Sequence, residues 1–246
     1  DAEEDGTGDD AEANTEDEEE PSTKDVDSSS LPQGSITLQP SKKMNKDGKF
    51  TPIIIADSVA GSTEWYLEEH VPDALLDSYV GRRPDQALVV LQSYIDKGVV
   101  GDIVVICSFS NMPATDDAMD DLVKTCGDRS VYLINVRIPN VELEQINDSV
   151  RRCCERNKNC TLIDWYSYSE GHTDWFYDDG IHLTPEGQPH YIDMISNAIA
   201  ADYAKLGGKV LSEEEVTTQQ EEEASEEAET DAEDATQTSA EAEVSA

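Results

Sequence analysis

Short apolar segments alternate with helix-like segments through the middle of the chain. The apolar segments are rich in Val, Ile and Leu, and each predicts a short strand buried on both faces of a sheet. They cover residues 51–57 (TPIIIAD), 102–108 (DIVVICS), 130–136 (SVYLINV) and 160–166 (CTLIDWY), with a shorter strand at about residues 74–79.

Helices are predicted at residues 84–97, 115–126, 141–157 and 184–206, between and after these strands. In the last of them Thr184 is the expected N-cap, Pro185 the first helical residue and Gly207 the stop. Strand and helix thus alternate about five times, which is typical of a parallel sheet covered by helices on both faces. The sequence therefore predicts one α/β domain at residues 50–207, with ligands bound beyond the carboxyl ends of its strands.

Both ends of the chain are strongly acidic. The protein has 246 residues and a net charge of −38, of which residues 1–30 carry −13 and residues 212–246 carry −14. Neither segment contains an aromatic residue, so neither can bury enough apolar surface to offset the entropy lost on ordering. We therefore predict disordered acidic segments at residues 1–49 and 208–246. No basic stripe is present to neutralise phosphates, which argues against nucleic acid as a partner.

The five cysteines have no spacing typical of a zinc site, and we expect no bound metal. Their odd number leaves at least one thiol outside any intramolecular pairing. Cys107 ends a predicted strand and is expected to stay reduced as a small buried residue. Cys160 opens the last strand six residues after Cys154, and that pair is the first candidate for a disulfide.

Three loops that follow strands carry the groups needed for nucleophilic acyl transfer. Ser58 lies where the first strand turns into a helix, and its N–H can stabilise an oxyanion there. Gly81 follows the short second strand. His182 precedes the last helix, where it can accept the proton of Ser58, and Asp179, three residues earlier, can orient the imidazole. Each group alone is a weak signal, and the strength lies in their order along an α/β chain.

These segments resemble the SGNH/GDSL hydrolase superfamily, and most closely the extracellular domain of peptidoglycan O-acetyltransferases of Gram-positive bacteria. The resemblance covers about residues 52–203 and implies a three-layer, flavodoxin-like SGNH fold with a five-stranded parallel sheet. The motifs that carry it are IIIADSV at 53–59, YVGR at 79–82, VRIP at 136–139, IN at 146–147, IDWY at 163–166, GHTDWF at 171–176 and DGIHLT at 179–184.

The resemblance also implies roles for individual residues. Ser58 matches the nucleophile, His182 the base and Asp179 the residue that orients it. The backbone N–H groups of Ser58 and Gly81 match two donors of the oxyanion hole. Ala56 stands where the family usually has Gly, which is a mild departure.

The third family motif is altered more deeply. The family strand normally ends in Gly-x-Asn, and that Asn side chain donates to the oxyanion. Here the segment reads Ser-Phe-Ser-Asn at residues 108–111, so that Ser110 occupies the Asn position and Asn111 follows one residue late. Either Ser110 donates, or Asn111 takes its place, or the enzyme is slow, since one lost donor costs on the order of a hundredfold in turnover.

Two further residues are candidates for substrate binding. Arg137 can line the site, although a structural role in its loop is about equally supported. Trp175 belongs to an aromatic group that can stack on sugars, with packing in the core or at the rim as the competing interpretation.

The leading functional hypothesis is a serine-dependent O-acyltransferase, with acetyl as the expected group and an extracellular cell-wall glycan such as peptidoglycan as the acceptor. The resemblance further implies an acyl donor, an upstream acyltransferase-3 membrane domain that anchors the full-length product, and no cofactor. One alternative is a carbohydrate esterase with the same triad, in which water replaces the sugar. The other is a non-catalytic module on the same fold, favoured by the altered third motif and opposed by the intact triad.

Overall fold

The computed structural model describes residues 44–225 and residue 228. Its centre is a five-stranded parallel sheet in the order β2-β1-β3-β4-β5. The strands are β1 (Ile53–Ala56), β2 (Leu75–Ser78), β3 (Ile103–Cys107), β4 (Ser130–Ile134) and β5 (Cys160–Ile163). All five predicted strands are present, and the α/β fold with a five-stranded parallel sheet is confirmed.

Seven α-helices lie between residues 58 and 205, together with a short 3-10 helix at Thr173–Trp175. They are α1 (Ser58–Gly61), α2 (Glu64–His70), α3 (Pro84–Asp96), α4 (Asp116–Thr125), α5 (Leu143–Arg156), α6 (Trp165–Tyr168) and α7 (Gly187–Lys205). The four long helices lie where the sequence predicts them. The last begins at Gly187, later than expected, because Pro185 and Glu186 form a turn in which the Thr184 hydroxyl accepts the Gly187 N–H.

Two hydrophobic clusters lie on opposite faces of the sheet. On one face α3, α4 and α5 pack against alternate strand residues such as Ile55 and Ile106. On the other face α2 and α7 pack against the intervening residues, such as Ile54 and Val105. Because β1 and β3 are covered on both sides, nearly every residue in them is apolar, which explains their uninterrupted hydrophobic runs.

The strand order places the end of β1 at a topological switch point. The chain moves from β1 to β2 on one side of the sheet and then returns to β3 on the other side. The connections that leave β1 and β3 therefore diverge and leave a crevice at their carboxyl ends, where ligands bind in sheets of this type. Ser58 follows β1 directly and lies at this crevice.

The first part of the predicted C-terminal tail is ordered, contrary to expectation. Residues 213–225 are helical, and Val216 is buried against the domain. Glu213 accepts a hydrogen bond from the Tyr66 hydroxyl at 2.7 Å, and the Leu211 N–H donates to the carbonyl of His70 at 2.9 Å. The prediction was wrong for this stretch because composition alone does not reveal that a few apolar side chains in an acidic segment can pack against a helix of the domain.

The remaining acidic residues that we predicted to be disordered, 1–43 and those after residue 225 apart from residue 228, lie outside the described part of the chain. Within residues 44–225 and 228, no helix combines the length and the apolar character needed to cross a bilayer.

Candidate active site

Ser58, His182 and Asp179 lie in one hydrogen-bonded line at the carboxyl edge of the sheet. The Nε2 atom of His182 is 3.0 Å from the Ser58 Oγ atom, and its Nδ1 atom is 2.7 Å from Asp179 Oδ2. The second oxygen of Asp179 accepts the backbone N–H groups of Ile181 and His182. These hydrogen bonds, first that from His182, lower the pKa of Asp179 to about 2. The carboxylate therefore stays ionised at neutral pH and fixes a proton on Nδ1, which leaves Nε2 free to accept the proton of Ser58.

A tight hairpin carries both His182 and Asp179. Phe176 pairs with Leu183 in an antiparallel bridge, and the Tyr177 N–H donates to the carbonyl of His182 at 2.9 Å. Gly180 closes the turn with a φ of +67°, a conformation that residues with a side chain rarely adopt. The hairpin thus holds base and carboxylate in a fixed relation to each other.

A stack of aromatic rings lies next to this hairpin. Trp175 lies between His172 and His190, with ring centroids 3.8 Å and 4.1 Å away, and it also stacks on Trp165. Only 5% of Trp175 is exposed. The expectation that Trp175 offers a face to substrate is therefore not met, because both faces of the indole are covered by neighbouring rings. It packs beneath the hairpin instead.

Asp57 connects the nucleophile loop to the loop after β3. It is fully buried, and its two oxygens accept the N–H groups of Val59 and Ser110, each at 3.0 Å. Burial raises the pKa of Asp57, and the two hydrogen bonds oppose this shift. In the sequence, Asp57 stands out only as part of the IIIADSV motif. The available signal was a carboxylate directly after an apolar strand and next to the candidate nucleophile. Such a carboxylate can be buried and hold the nucleophile loop in place.

A buried ion pair fixes the loop that contains Gly81. Arg82 and Asp77 are both fully buried, with Arg82 Nη2 2.5 Å from Asp77 Oδ1. Arg82 also donates to the carbonyl oxygens of Ala56 and Asp77, and the Tyr94 hydroxyl donates to the other oxygen of Asp77. Gly81 precedes Arg82 and has a φ of +78°. The guanidinium thus ties the Gly81 turn to the end of β1, next to Ser58.

An open cavity of about 500 Å³ adjoins the hairpin that carries His182 and Asp179. Its wall includes Asp178 and Gly180 from the hairpin and Arg137 and Pro139 from the loop after β4, together with an aromatic and polar group formed by Tyr166, His172, Phe176, Tyr177, Ser169 and Thr173. Its size is within the range typical of small-molecule sites. The aromatic rings together with hydroxyl and charged groups suit a polar ligand that has one apolar face.

Arg137 is held rigidly at the edge of this cavity. Its guanidinium lies over the ring of Tyr166, with Cζ 4.6 Å from the centroid. Its Nε atom donates to the Ser169 hydroxyl at 2.7 Å, and Nη2 donates to the Tyr166 carbonyl. Asn147 on α5 in turn holds the preceding residue, Val136, through hydrogen bonds to both its backbone N–H and its carbonyl. Arg137 is therefore a preorganised cation in the wall of the cavity.

No group of three or more His, Cys, Asp or Glu side chains suited to a metal ion occurs in the part of the chain that the structure describes. The triad itself supplies a hydroxyl nucleophile, an imidazole and a carboxylate.

Comparison with proteins of known sequence shows that this chain is similar to O-acetyltransferases. The chain is 33% identical to the peptidoglycan O-acetyltransferase OatA of Listeria monocytogenes over 147 residues, and 32% identical to the O-acetyltransferase OatA of Staphylococcus aureus over 148 residues. Each match covers 60% of this chain and 24% of the relative, so the chain spans about a quarter of the length of these proteins. No protein-family model matches the chain.

Solved structures of two other proteins have a similar fold. The C-terminal catalytic domain of Streptococcus pneumoniae OatA superposes with a TM-score of 0.57 at 19% identity, over 67% of this chain and 99% of that domain. TesA superposes with a TM-score of 0.53 at 15% identity, over 60% of this chain and 96% of that protein. This chain therefore shares its fold with both proteins, and the sequence matches show that it is similar to part of the O-acetyltransferases.

The structure distinguishes the two residues of the altered third SGNH motif. Ser110 is directed towards Asp57, which accepts its N–H. Asn111 is exposed, and its side-chain amide donates to the carbonyl of Arg82 at 3.2 Å. An Asn amide has two N–H groups, so Asn111 can hold the Gly81–Arg82 turn with one of them and still offer the other. If the oxyanion hole has a third side-chain donor, as the resemblance implies, we expect it to be Asn111 rather than Ser110.

We expect Asn111→Ala to lower turnover of a chromogenic acetyl ester by about a hundredfold, the usual cost of losing a side-chain oxyanion donor. Ser110→Ala keeps the backbone N–H that binds Asp57 and is expected to change turnover by less than about threefold. Steady-state kinetics of the two variants on one ester provide the comparison. The reverse pattern would identify Ser110 as the donor, and two silent variants would remove the third motif from the oxyanion hole.

Proposed function

We propose that this domain is a serine-dependent O-acyltransferase that moves an acyl group, with acetyl as the expected one, onto a hydroxyl of a cell-wall glycan such as peptidoglycan. The observation that carries the proposal is the hydrogen-bonded line from Ser58 through His182 to Asp179, next to an open cavity large enough for a sugar. The relatedness to peptidoglycan O-acetyltransferases supports the choice of acceptor.

In the proposed first half-reaction, Ser58 Oγ attacks the carbonyl carbon of an acyl donor while His182 Nε2 accepts the hydroxyl proton. The negative charge on the carbonyl oxygen is stabilised by the N–H groups of Ser58 and Gly81 and the amide of Asn111. His182 then protonates the leaving group, and an acyl-serine remains. In the second half-reaction, His182 takes a proton from the acceptor hydroxyl, which attacks the acyl carbon and regenerates Ser58.

The cavity wall formed by Arg137 and Tyr166 is the proposed acceptor site. A sugar ring can stack on the exposed aromatic rings, and the guanidinium can donate hydrogen bonds to hydroxyl, carbonyl or carboxylate oxygens. Peptidoglycan presents all three kinds of oxygen. Because the cavity shares Asp178 and Gly180 with the hairpin that carries His182, a ligand bound in it lies next to the base.

Transfer and hydrolysis are distinguished by following both products in one reaction. Purified protein is given an acetyl ester donor with and without a soluble glycan acceptor, and acetate and acetylated glycan are measured together. A transferase forms acetylated glycan in proportion to acceptor concentration, at the expense of acetate. Formation of acetate alone at every acceptor concentration would refute the transfer proposal and leave an esterase.

Arg137→Ala is expected to raise the acceptor concentration needed for half-maximal transfer by about tenfold or more, because hydrogen bonds to a charged group contribute about 1.5–3 kcal/mol. Arg151→Ala is the matched control, since Arg151 is a half-exposed arginine of α5 that pairs with Asp148 and Glu155 and lies outside the cavity wall. The measurement is the dependence of acetyl-glycan formation on acceptor concentration. An unchanged dependence in Arg137→Ala would place the acceptor elsewhere.

An esterase that removes acyl groups from a surface glycan is the second candidate. The openness of the triad favours it, because nearly half of the His182 and Asp179 side-chain surface is exposed and water can reach the acyl-serine. The same two-product assay decides between the candidates.

An extracellular location at the cell surface is part of the proposal, since peptidoglycan lies outside the membrane. An acyltransferase-3 membrane domain upstream in the full-length product would deliver the acyl group, and it would anchor the enzyme next to its acceptor. Neither the donor chemistry nor the fold of this domain requires a cofactor.

A further inference from the structure

Three of the five cysteines meet at one place, well away from the triad. Cys153 and Cys154 are in the last turn of α5, and Cys160 is the first residue of β5. The sulfur atoms of Cys154 and Cys160 are 3.1 Å apart. Cys107 and Cys126 are each buried elsewhere, away from other cysteines. The Cys126 thiol donates a hydrogen bond to the Leu122 carbonyl. Only the α5–β5 junction, within the described residues, therefore brings thiols together.

We propose that Cys154 and Cys160 form a dithiol–disulfide couple that clips the end of α5 to the start of β5. Their sulfur atoms are only about 1 Å farther apart than the atoms of an S–S bond, so small side-chain rotations suffice to join them. This inference is independent of the acyltransferase proposal, because none of the three cysteines lines the cavity or touches the triad.

Exposure determines which thiol reacts first. Cys153 is fully buried and Cys160 is 9% exposed, whereas Cys154 is only half-buried. An external oxidant can therefore reach Cys154, while Cys160 is positioned behind it as the resolving thiol. Cys153 also contacts Cys160, and the hydrogen bond between them lowers the pKa of Cys153. It is the competing partner for Cys160, but its burial removes it from the first step.

The oxidant in the proposed reaction is a disulfide, such as oxidised glutathione or a protein disulfide. The Cys154 thiolate attacks one sulfur of that disulfide, which forms a mixed disulfide and releases the first thiol. The Cys160 thiolate then attacks the Cys154 sulfur and expels the second thiol. The protein loses two protons and two electrons, and the oxidant is reduced to two thiols that take up both.

Tryptic digestion suits a direct test on the full chain. Cleavage after Arg152, Arg156 and Lys158 separates residues 153–156, which contain Cys153 and Cys154, from residues 159–205, which contain Cys160. The protein is incubated with oxidised glutathione, the remaining thiols are blocked by alkylation in denaturant, and the digest is analysed by mass spectrometry without reduction. Fragmentation between the adjacent cysteines identifies the bonded one.

The expected result is that most molecules contain a linkage between the two peptides through Cys154, with Cys153, Cys107 and Cys126 alkylated. Treatment with dithiothreitol should restore five alkylated cysteines. Five alkylated cysteines in most molecules after oxidation would overturn the proposal, and so would a linkage through Cys153.

Adjacent variants give a matched control. Cys154→Ser should abolish the linkage to Cys160, whereas Cys153→Ser should retain it, with far-UV circular dichroism checking that each variant is folded. Loss in Cys153→Ser and retention in Cys154→Ser would assign the bond to Cys153 and overturn the proposal. The wild-type peptide map tests the same assignment even if a variant fails to fold.

Discussion

Ser58→Ala is expected to abolish ester turnover, with a loss of at least about a thousandfold, because removal of a serine nucleophile normally costs several orders of magnitude. The side chain is part of no other described interaction than its hydrogen bond to His182, so the fold should be unaffected. Initial rates on a chromogenic acetyl ester measure the loss. The acyl-serine itself can be detected as an intact-protein mass increase of one acyl group, present in the wild type and absent from the variant.

Ser93→Ala is a suitable control for this substitution, since Ser93 is a half-buried serine of α3, far from the carboxyl edge of the sheet. It should retain full activity. A Ser58→Ala protein that retains more than about a tenth of the wild-type rate would exclude the covalent mechanism. The triad would then be a structural remnant on a binding module.

The carboxylate of Asp179 should not limit turnover above about pH 4. Since the pKa of Asp179 is lowered to about 2, the group remains ionised from about pH 4 upwards and cannot cause a loss of activity in that range. Asp179→Asn removes this charge and should lower turnover of the chromogenic ester at every pH above about 4. Wild-type turnover in the Asp179→Asn variant would show that the carboxylate is not part of the relay.

Arg82→Met is expected to lower the free energy of unfolding by about 3–5 kcal/mol, because it leaves the buried Asp77 without its charge partner. Burial already raises the pKa of Asp77, and the hydrogen bonds and charge of Arg82 oppose that shift. Without the guanidinium, the carboxyl group must either take up a proton or open the Gly81 loop to water. Urea denaturation at neutral pH measures the change through the midpoint, with an unchanged slope.

The neighbouring residue provides the control for this prediction. Arg83 pairs with Asp85 through a salt bridge in which both side chains are largely exposed, and exposed pairs contribute little. Arg83→Met should therefore leave the unfolding midpoint nearly unchanged. A loss below about 1 kcal/mol in Arg82→Met would show that the buried pair is weakly coupled to the fold. The double variant Arg82→Met with Asp77→Leu should recover part of the loss, since no uncompensated charge remains.

The fold could be predicted because buried strands leave strong local patterns, whereas the triad could be proposed only from the order of its residues along an α/β chain. Strands covered on two faces must be almost wholly apolar, and β1 and β3 have this composition. The positions of Ser58 and His182 follow from the same topology, because the ends of parallel strands meet at one edge. Their distance of 3.0 Å agrees with that reasoning.

Other features could not be read from the sequence because long-range contacts decide them. Arg82 is charged and follows a turn, so it resembles an exposed residue until Asp77 and Tyr94 surround it. Trp175 could equally have pointed into the cavity, and only the positions of His172 and His190 decide that it does not. The helix at residues 213–225 depends on a single buried valine and on polar contacts with α2. The average composition of an acidic segment does not show such individual contacts.

The hairpin at residues 176–183 divides the triad into two structural units. His182 and Asp179 belong to one unit, since Gly180 and the bridge between Phe176 and Leu183 fix their relation. Ser58 belongs to the other unit, which the Asp57 hydrogen bonds connect to the loop after β3. Proton transfer therefore crosses from one unit to the other at the gap between Ser58 Oγ and His182 Nε2. A shift of the hairpin relative to the sheet would change that distance and leave the hydrogen bond between His182 and Asp179 intact.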